Sequence, residues 1–275
     1  MQVVRTRADL RAVLATSPRP IGLVPTMGWL HAGHVSLVER ARAESATVVM
    51  SIFVNPRQFG EAADFEQYPR NEASDLAKAE AAGVDIVFAP TVDEVYPAGF
   101  DTVVSVGAIA SPLEGAARPG HFDGVATVVA ILFSLVGAER AYFGLKDDQQ
   151  IRVIRRMALD LALPTEVVPC ETVREPDGLA MSSRNVYLSA DERAAAPTLH
   201  RVLKLCASKI AEGHSIATIL SEGREAITRG GFVLDYLEAR HAETLAPIAS
   251  VKAGPVRLLV AAKLGTTRLI DNVGV

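Results

Sequence analysis

Two histidines three residues apart, His31 and His34, stand in the run Pro-Thr-Met-Gly-Trp-Leu-His-Ala-Gly-His at residues 25–34. An apolar segment precedes them and a helical pattern follows. Amide groups at a helix N-terminus favour a phosphate. Two imidazoles added there supply directional donors that can follow charge as it develops at phosphorus. Gly28 and Gly33 flank the first histidine. A glycine-rich turn with incidental histidines is the plainer alternative. It ranks lower, because packing gives no reason for two histidines at such a junction.

Other polar residues recur after apolar runs. Asn55, Arg57 and Gln58 follow one in Val-Asn-Pro-Arg-Gln-Phe-Gly, and Gly144, Lys146, Asp147 and Gln150 follow another in Phe-Gly-Leu-Lys-Asp-Asp-Gln-Gln. Lys146 can neutralise a phosphate as a point charge, although a solvated lysine at a strand end reads the same. Asp147 suits a helix cap, a ribose hydroxyl or a metal. Gln58 and Gln150 are neutral two-way hydrogen bonders suited to a small polar substrate. Asp75 opens a helix; capping is its plainer role and a magnesium ligand the sharper one. His121 lies in a second glycine-flanked loop, where lining a pocket and closing the loop are both open. Met181-Ser182-Ser183-Arg184-Asn185 places two hydroxyls and a guanidinium in a polar loop suited to phosphate oxygens. His200, His214 and His241 have no comparable neighbours.

The elements that must position these groups alternate. Strands are expected at 21–24, 47–54 and 84–89, with helices at 35–44 and 75–82 between them. The alternation resumes with a helix at 122–136, a strand at 140–143, a helix at 147–161 and a strand at 166–168. Continuous apolar strands without alternation predict a parallel α/β sheet covered on both faces. In such a sheet ligands bind beyond the carboxyl ends of the strands, where the polar motifs fall. After residue 173 the chain turns polar and loop-like. Ser189 with Glu192 then forms a capping-box pattern. Helices near 190–211 and 215–229 follow, then strands near 232–239, 255–262 and 267–273. This order predicts an α/β N-terminal domain over 1–173 and a smaller α+β C-terminal domain over 174–275.

The chain has 275 residues, 49% hydrophobic and 22% charged, with a formal net charge of −4. That is the composition of an ordinary globular protein, and the acidic balance argues against a nucleic-acid partner. An anionic substrate would need local cations rather than a global field. Two cysteines, Cys170 and Cys206, fit a reducing compartment, and no signal peptide or membrane-spanning run is visible. A cytoplasmic location is expected. No G-x-G-x-x-G follows the first strand, which argues against a redox dinucleotide fold.

Taken together, the motifs resemble the pantothenate synthetase family, ATP-dependent ligases joining pantoate to β-alanine. The resemblance covers essentially the whole chain. It rests on residues 25–34 and on Phe-Val-Asn-Pro-Arg-Gln-Phe, Tyr-Pro-Arg, Gly-His-Phe-Asp-Gly-Val-Ala-Thr-Val-Val, Phe-Gly-Leu-Lys-Asp-Asp-Gln-Gln and Met-Ser-Ser-Arg-Asn. The first run alone implies only the wider nucleotidylyltransferase superfamily with its His-x-Gly-His element.

The resemblance implies a Rossmann-like N-terminal domain with the active site, a C-terminal lid and a homodimer. It implies two steps through a pantoyl adenylate, with ATP as co-substrate and Mg²⁺ as cofactor. ATP contacts are implied for Met27, Gly28, Trp29, Leu30, His31, Ala32, Gly33 and His34, for Gly144, Leu145, Lys146, Asp147 and Val173, and for Met181, Ser182, Ser183 and Arg184. His34 is implied as a proton donor. Catalysis is expected from His34, His31, Lys146 and Arg184, and pantoate and β-alanine contacts from Gln58, Gln150 and Asn55. Two positions depart from the family pattern. Asp148 stands where a bulky residue is common, and Ser74 where some members carry a second acid, which weakens a two-carboxylate magnesium site at Asp75. Two other classes stay open on the residues: a nucleotidylyltransferase acting on a phosphate acceptor, and a non-catalytic nucleotide-binding module.

Overall fold

The computed structural model describes residues 1–60 and 62–275. The chain divides into two compact units. One comprises Met1–Leu145 with Gln149–Glu171; the other comprises Lys146–Asp148 with Thr172–Val275.

In the first unit, six strands form one parallel sheet, in the order β1-β4-β3-β2-β5-β6. The strands are β1 (Gln2–Val4), β2 (Ile21–Thr26), β3 (Thr47–Ile52), β4 (Ile86–Phe88), β5 (Arg140–Gly144) and β6 (Glu166–Cys170). The helices are α1 (Arg7–Leu14), α2 (Ala32–Glu44), α3 (Ala62–Gln67), α4 (Glu72–Ala81), α5 (Val92–Val95), α6 (Glu114–Ala117), α7 (His121–Val136) and α8 (Asp148–Asp160). Successive strand residues enter different cores. Leu23, Val49, Phe88 and Phe143 join one with the α7 residues Phe122 and Val129, whereas Val24, Met50, Val87 and Tyr142 join the other with Leu37 and Val38 of α2. Both faces are buried, which is why these strands read as unbroken apolar runs.

The chain winds to one side of β2 through β3 and to the other through β5. Their carboxyl ends therefore flank a topological switch point, the ligand position of doubly wound sheets.

The second unit packs α10 (Thr198–Ala211) and α11 (Ile216–Arg229) with an antiparallel sheet of β7 (Val233–His241), β8 (Val256–Leu264) and β9 (Thr267–Gly274). The sequence suggests one helix over 190–211. The structure breaks it into α9 (Ala190–Ala195) and α10, with Pro197 between them, because proline cannot donate to the preceding turn. The capping box of Ser189 and Glu192 opens α9. β1 and α1 were not legible, being short and mixed in polarity. No described helix is long and apolar enough to cross a membrane.

Candidate active site

The loop after β2 is bent by its own residues. Thr26 Oγ1 donates to the Ser51 carbonyl at 2.7 Å and accepts Gly28 N–H at 3.2 Å. Gly28 has φ +81° and Trp29 has φ +52°. A side chain at position 28 would meet Asp75 Oδ2 at 2.8 Å. Left-handed backbone at a tryptophan costs of order 1–3 kcal/mol and persists only where neighbours impose it. Here α4 imposes it. Asp75, 2% exposed, accepts Trp29 N–H on Oδ2 at 2.8 Å and Leu30 N–H on Oδ1 at 2.7 Å. One turn on, Lys78 Nζ donates to the Leu30 carbonyl at 2.7 Å.

Asp75 is therefore an anchor of the loop, with both oxygens engaged by amides, rather than the metal ligand considered from the sequence. Among the described residues no group of three His, Cys, Asp or Glu could hold a metal ion. The described residues thus offer no three-ligand protein cage for magnesium.

α2 begins three residues earlier than its apolar pattern suggested, because histidines cap it. His31 Nδ1 accepts Gly33 N–H at 3.1 Å, and His34 Nδ1 accepts His31 N–H at 3.3 Å. The ring centroids lie 4.1 Å apart. Amide groups can only donate, so both Nδ1 atoms are acceptors. A neutral ring then carries its proton on Nε2. Each histidine is thus set as an Nε2–H donor at the phosphate-favouring end of a helix.

β3 ends at Ile52, two residues short of the strand expected over 47–54, and a 3-10 turn follows at Pro56–Gln58. Asn55, 1% exposed, caps it. Asn55 was expected to touch substrate, but its amide is engaged internally. Its Oδ1 accepts Arg57 N–H at 3.2 Å and Tyr96 O–H at 2.7 Å. Its Nδ2 donates to Gln58 Oε1 and to the Gly124 carbonyl, both at 3.1 Å. Gln58 Nε2 contacts Met27 Sδ at 3.1 Å, so this turn and the histidine loop meet. The Gln58 carbonyl accepts His121 Nδ1–H at 2.9 Å and Arg118 Nη2 at 3.3 Å. His121 thereby closes the loop against Gln58, one of the two roles left open by the sequence.

Gln150 lies half-buried in the first turn of α8, after Gly144 and Leu145 at the end of β5. Its neighbour Gln149 is structural. It accepts Glu114 N–H at 3.1 Å and donates to the Ile109 and Pro112 carbonyls at 3.1 and 2.8 Å.

In the second unit, Lys146 Nζ lies 3.5 Å from Asp147 Oδ1, and Asn272 Nδ2 holds the Lys146 carbonyl at 3.0 Å. Arg257 bridges Asn272 Oδ1 at 2.6 Å and the buried Asp148 at 3.3 Å. Asp148 is thus held in an ion pair. Val173 and Met181 join through a 3.0 Å main-chain hydrogen bond, closing a hairpin whose bridge is Arg174 to Ala180. Ser182 Oγ accepts Arg184 N–H at 3.3 Å and starts the 3-10 turn Ser183–Tyr187. Arg174 grips Asp271 with two bonds of 2.7 and 2.9 Å, and His200 Nδ1 lies 3.4 Å from the same carboxylate. Burial would raise the Asp271 carboxyl, but His200 and Arg174 outweigh it and hold it below the ordinary range. His200 is thus a partner of Asp271 at this hairpin rather than an isolated histidine.

The first unit therefore gathers residues 27–34, Asp75, Asn55 and Gln58. The second gathers Lys146, Asp147, Val173 and 181–184. Lys78, Tyr96, Arg118 and Gln149 were missed. Each acts through a partner tens of residues away, and no local spacing announces it.

Comparison with known proteins follows the same lines. The family model for pantoate-beta-alanine ligase matches residues 2–274. A pantothenate synthetase of Rhodopseudomonas palustris is 54% identical over 277 residues, covering 99% of this chain and 98% of that protein. Pantothenate synthetase 2 of Bradyrhizobium diazoefficiens is 56% identical, covering 98% and 95%. The crystal structure of pantothenate synthetase from Thermus thermophilus superposes with a TM-score of 0.94 at 52% identity, covering 99% of each chain. The pantoate-beta-alanine ligase of Francisella tularensis, complexed with beta-gamma ATP and beta-alanine, gives 0.85 at 31% identity, covering 100% and 97%. With its switch-point site and its motifs matched from end to end, the chain belongs to the pantoate–β-alanine ligase family.

Proposed function

We propose that this enzyme condenses pantoate with β-alanine at the expense of ATP, releasing AMP and pyrophosphate. The observation that carries the reading is the reciprocal histidine cap beside Gln58: two Nε2–H donors at a helix N-terminus, next to a neutral hydrogen-bonding side chain. In the first step a carboxylate oxygen of pantoate attacks the α-phosphorus of ATP, and pyrophosphate leaves with the electrons of the broken P–O bond. In the second, the β-alanine amine attacks the acyl carbon and AMP leaves.

His31 and His34 hydrogen-bond to phosphate oxygens as charge builds on them. With Nε2 already protonated, His34 acts by a hydrogen bond rather than as a base, and no transfer of its proton is needed. Gln58 and Gln150 hold pantoate. Lys146 and Arg184 supply positive charge against the meeting of two anions, and Met181, Ser182 and Ser183 belong to the phosphate-binding loop. The second step comes chiefly from positioning the amine against an activated acyl group. Magnesium, when bound with the nucleotide, would offset phosphate charge, and no step is assigned to a protein-held metal.

Three further assignments rest on the resemblance: the second unit is the lid, the enzyme is a homodimer, and it works in the cytoplasm. Cys170 and Cys206 accord with the last. Both are buried free thiols pushed up by burial, hence poorly nucleophilic. Light scattering in solution tests the dimer.

Pyrophosphate exchange tests the chemistry. Labelled pyrophosphate enters ATP only when pantoate is present, and β-alanine is not required. Exchange without pantoate contradicts the adenylation step.

A further inference from the structure

We infer that Tyr96 is a positioning residue for the acid substrate: through Asn55, its hydroxyl fixes the Gln58 side chain with the amide N–H₂ as the group offered to the ligand. The inference rests on the proposed role of Gln58 as a pantoate contact.

The orientation follows from main-chain groups that cannot exchange roles. Arg57 N–H must donate, so the Asn55 atom beside it is oxygen. The Gly124 carbonyl must accept, so the other Asn55 atom is nitrogen. That nitrogen lies 3.1 Å from the Gln58 side chain, whose facing atom must then be Oε1. Gln58 Nε2 is left on the side of Met27, in the loop after β2. The oxygen and nitrogen ends of a side-chain amide are nearly alike in shape, and here the hydrogen-bond network distinguishes them. The subsite therefore presents a donor and selects an acceptor oxygen, a carboxylate or hydroxyl, on the acid.

Tyr96 supplies the shortest bond in this chain of contacts, 2.7 Å to Asn55 Oδ1. It is 8% exposed, and the Arg57 guanidinium stacks on its ring and on that of Phe100, 4.7 Å from each centroid. Burial pushes its hydroxyl up to about 12, only partly opposed by Arg57, so the group stays a donor throughout the neutral range. Without that donor, Asn55 Oδ1 keeps only the longer bond to Arg57. Tyr96 lies 41 residues from Asn55 in sequence and touches the substrate in no step.

The test is Tyr96→Phe in the full enzyme, which keeps the ring and removes only the hydroxyl. The expected result is a rise in pantoate KM of about fivefold, the scale of one buried hydrogen bond. ATP KM stays unchanged, and near-ultraviolet dichroism is native. In a Gln58→Ala background the same substitution has no further effect on pantoate KM. Gln58→Glu, which puts an oxygen where Nε2 was, raises pantoate KM far more than Gln58→Ala does. Equal effects of Tyr96→Phe in the two backgrounds, or an equal rise in ATP KM, make Tyr96 a general packing residue and overturn the inference. If Gln58→Ala itself leaves pantoate KM unchanged, the reading of the site fails instead.

Discussion

His34 accepts the main-chain N–H of His31 through Nδ1, 3.3 Å away. The bond does two things at once: it starts α2, and it places the ring proton on Nε2. Capping and the proposed catalytic role fall to different nitrogens of one ring, so substitutions can separate them.

Glutamine and asparagine mimic different imidazole nitrogens. His34→Gln can present an N–H near the Nε2 position, whereas His34→Asn reaches only as far as Nδ1. His34→Ala is expected to slow adenylation by roughly 10²- to 10³-fold, the scale of one transition-state donor. Glutamine should recover part of that loss and asparagine should not. Single-turnover release of pyrophosphate provides the measurement. Recovery by asparagine alone would assign the loss to the helix cap.

Asp75 is predicted to act through the backbone it holds. In Asp75→Asn one amide oxygen becomes an N–H₂ facing the N–H of Trp29 or Leu30, leaving one buried bond broken and two donors opposed. The left-handed conformation of Trp29 then loses its support. Stability should fall by about 1–3 kcal/mol, and ATP KM should rise severalfold. Excess magnesium should restore neither. Full recovery of activity with rising magnesium would mark Asp75 as a metal ligand after all.

The contrast between these two sites explains what the sequence could show. Residues 25–34 are contiguous, and helix capping is a local interaction, so the entrance to α2 was legible as a strand-to-helix junction carrying the histidine pair. The unbroken apolar runs gave the doubly covered sheet for the same reason: each strand carries its own signal. Asp75 and Lys78 were readable as helix residues, but not as the grip on Leu30, because that grip is made across 45 and 48 residues of chain. Asn55 shows the opposite case. Its place in a ligand-rich motif suggested substrate contact, whereas both ends of its amide are engaged by the protein. A polar side chain beside a site looks the same in sequence whether it faces the ligand or holds the residue that does.

Gly124 tests how tightly Gln58 is held. A Cβ there would lie 2.2 Å from the Arg57 carbonyl oxygen and 2.7 Å from Gln58 N, both backbone atoms that cannot swing aside. Gly124→Ala must push the 56–58 turn off α7, breaking the bond from Asn55 to the Gly124 carbonyl. The expected cost is about 1–3 kcal/mol of stability. Pantoate KM should rise and ATP KM should stay close to wild type. A melting temperature and pantoate KM both unchanged would show that the turn has another seat.

Asp271 gives the second unit an acid-sensitive contact. Its carboxyl is held below the ordinary range by His200 and Arg174 against the opposing effect of burial. A group lowered in the folded state contributes stability above its unfolded value and loses that contribution as pH falls through the folded one. The loss therefore begins below about pH 4, where a free aspartate takes up its proton. Asp271→Asn removes the titration and leaves Arg174 half-paired, so at pH 7 the variant should be less stable by about 3 kcal/mol. Between pH 7 and pH 3 its melting temperature should fall less than that of the wild type, because the other carboxylates are common to both. The two curves should converge on the acid side, and thermal melts of the full chain across that range measure it. Curves that run parallel would mean that Asp271 takes up its proton alike in the folded and unfolded chain, and the Arg174 contact would then contribute no acid sensitivity there.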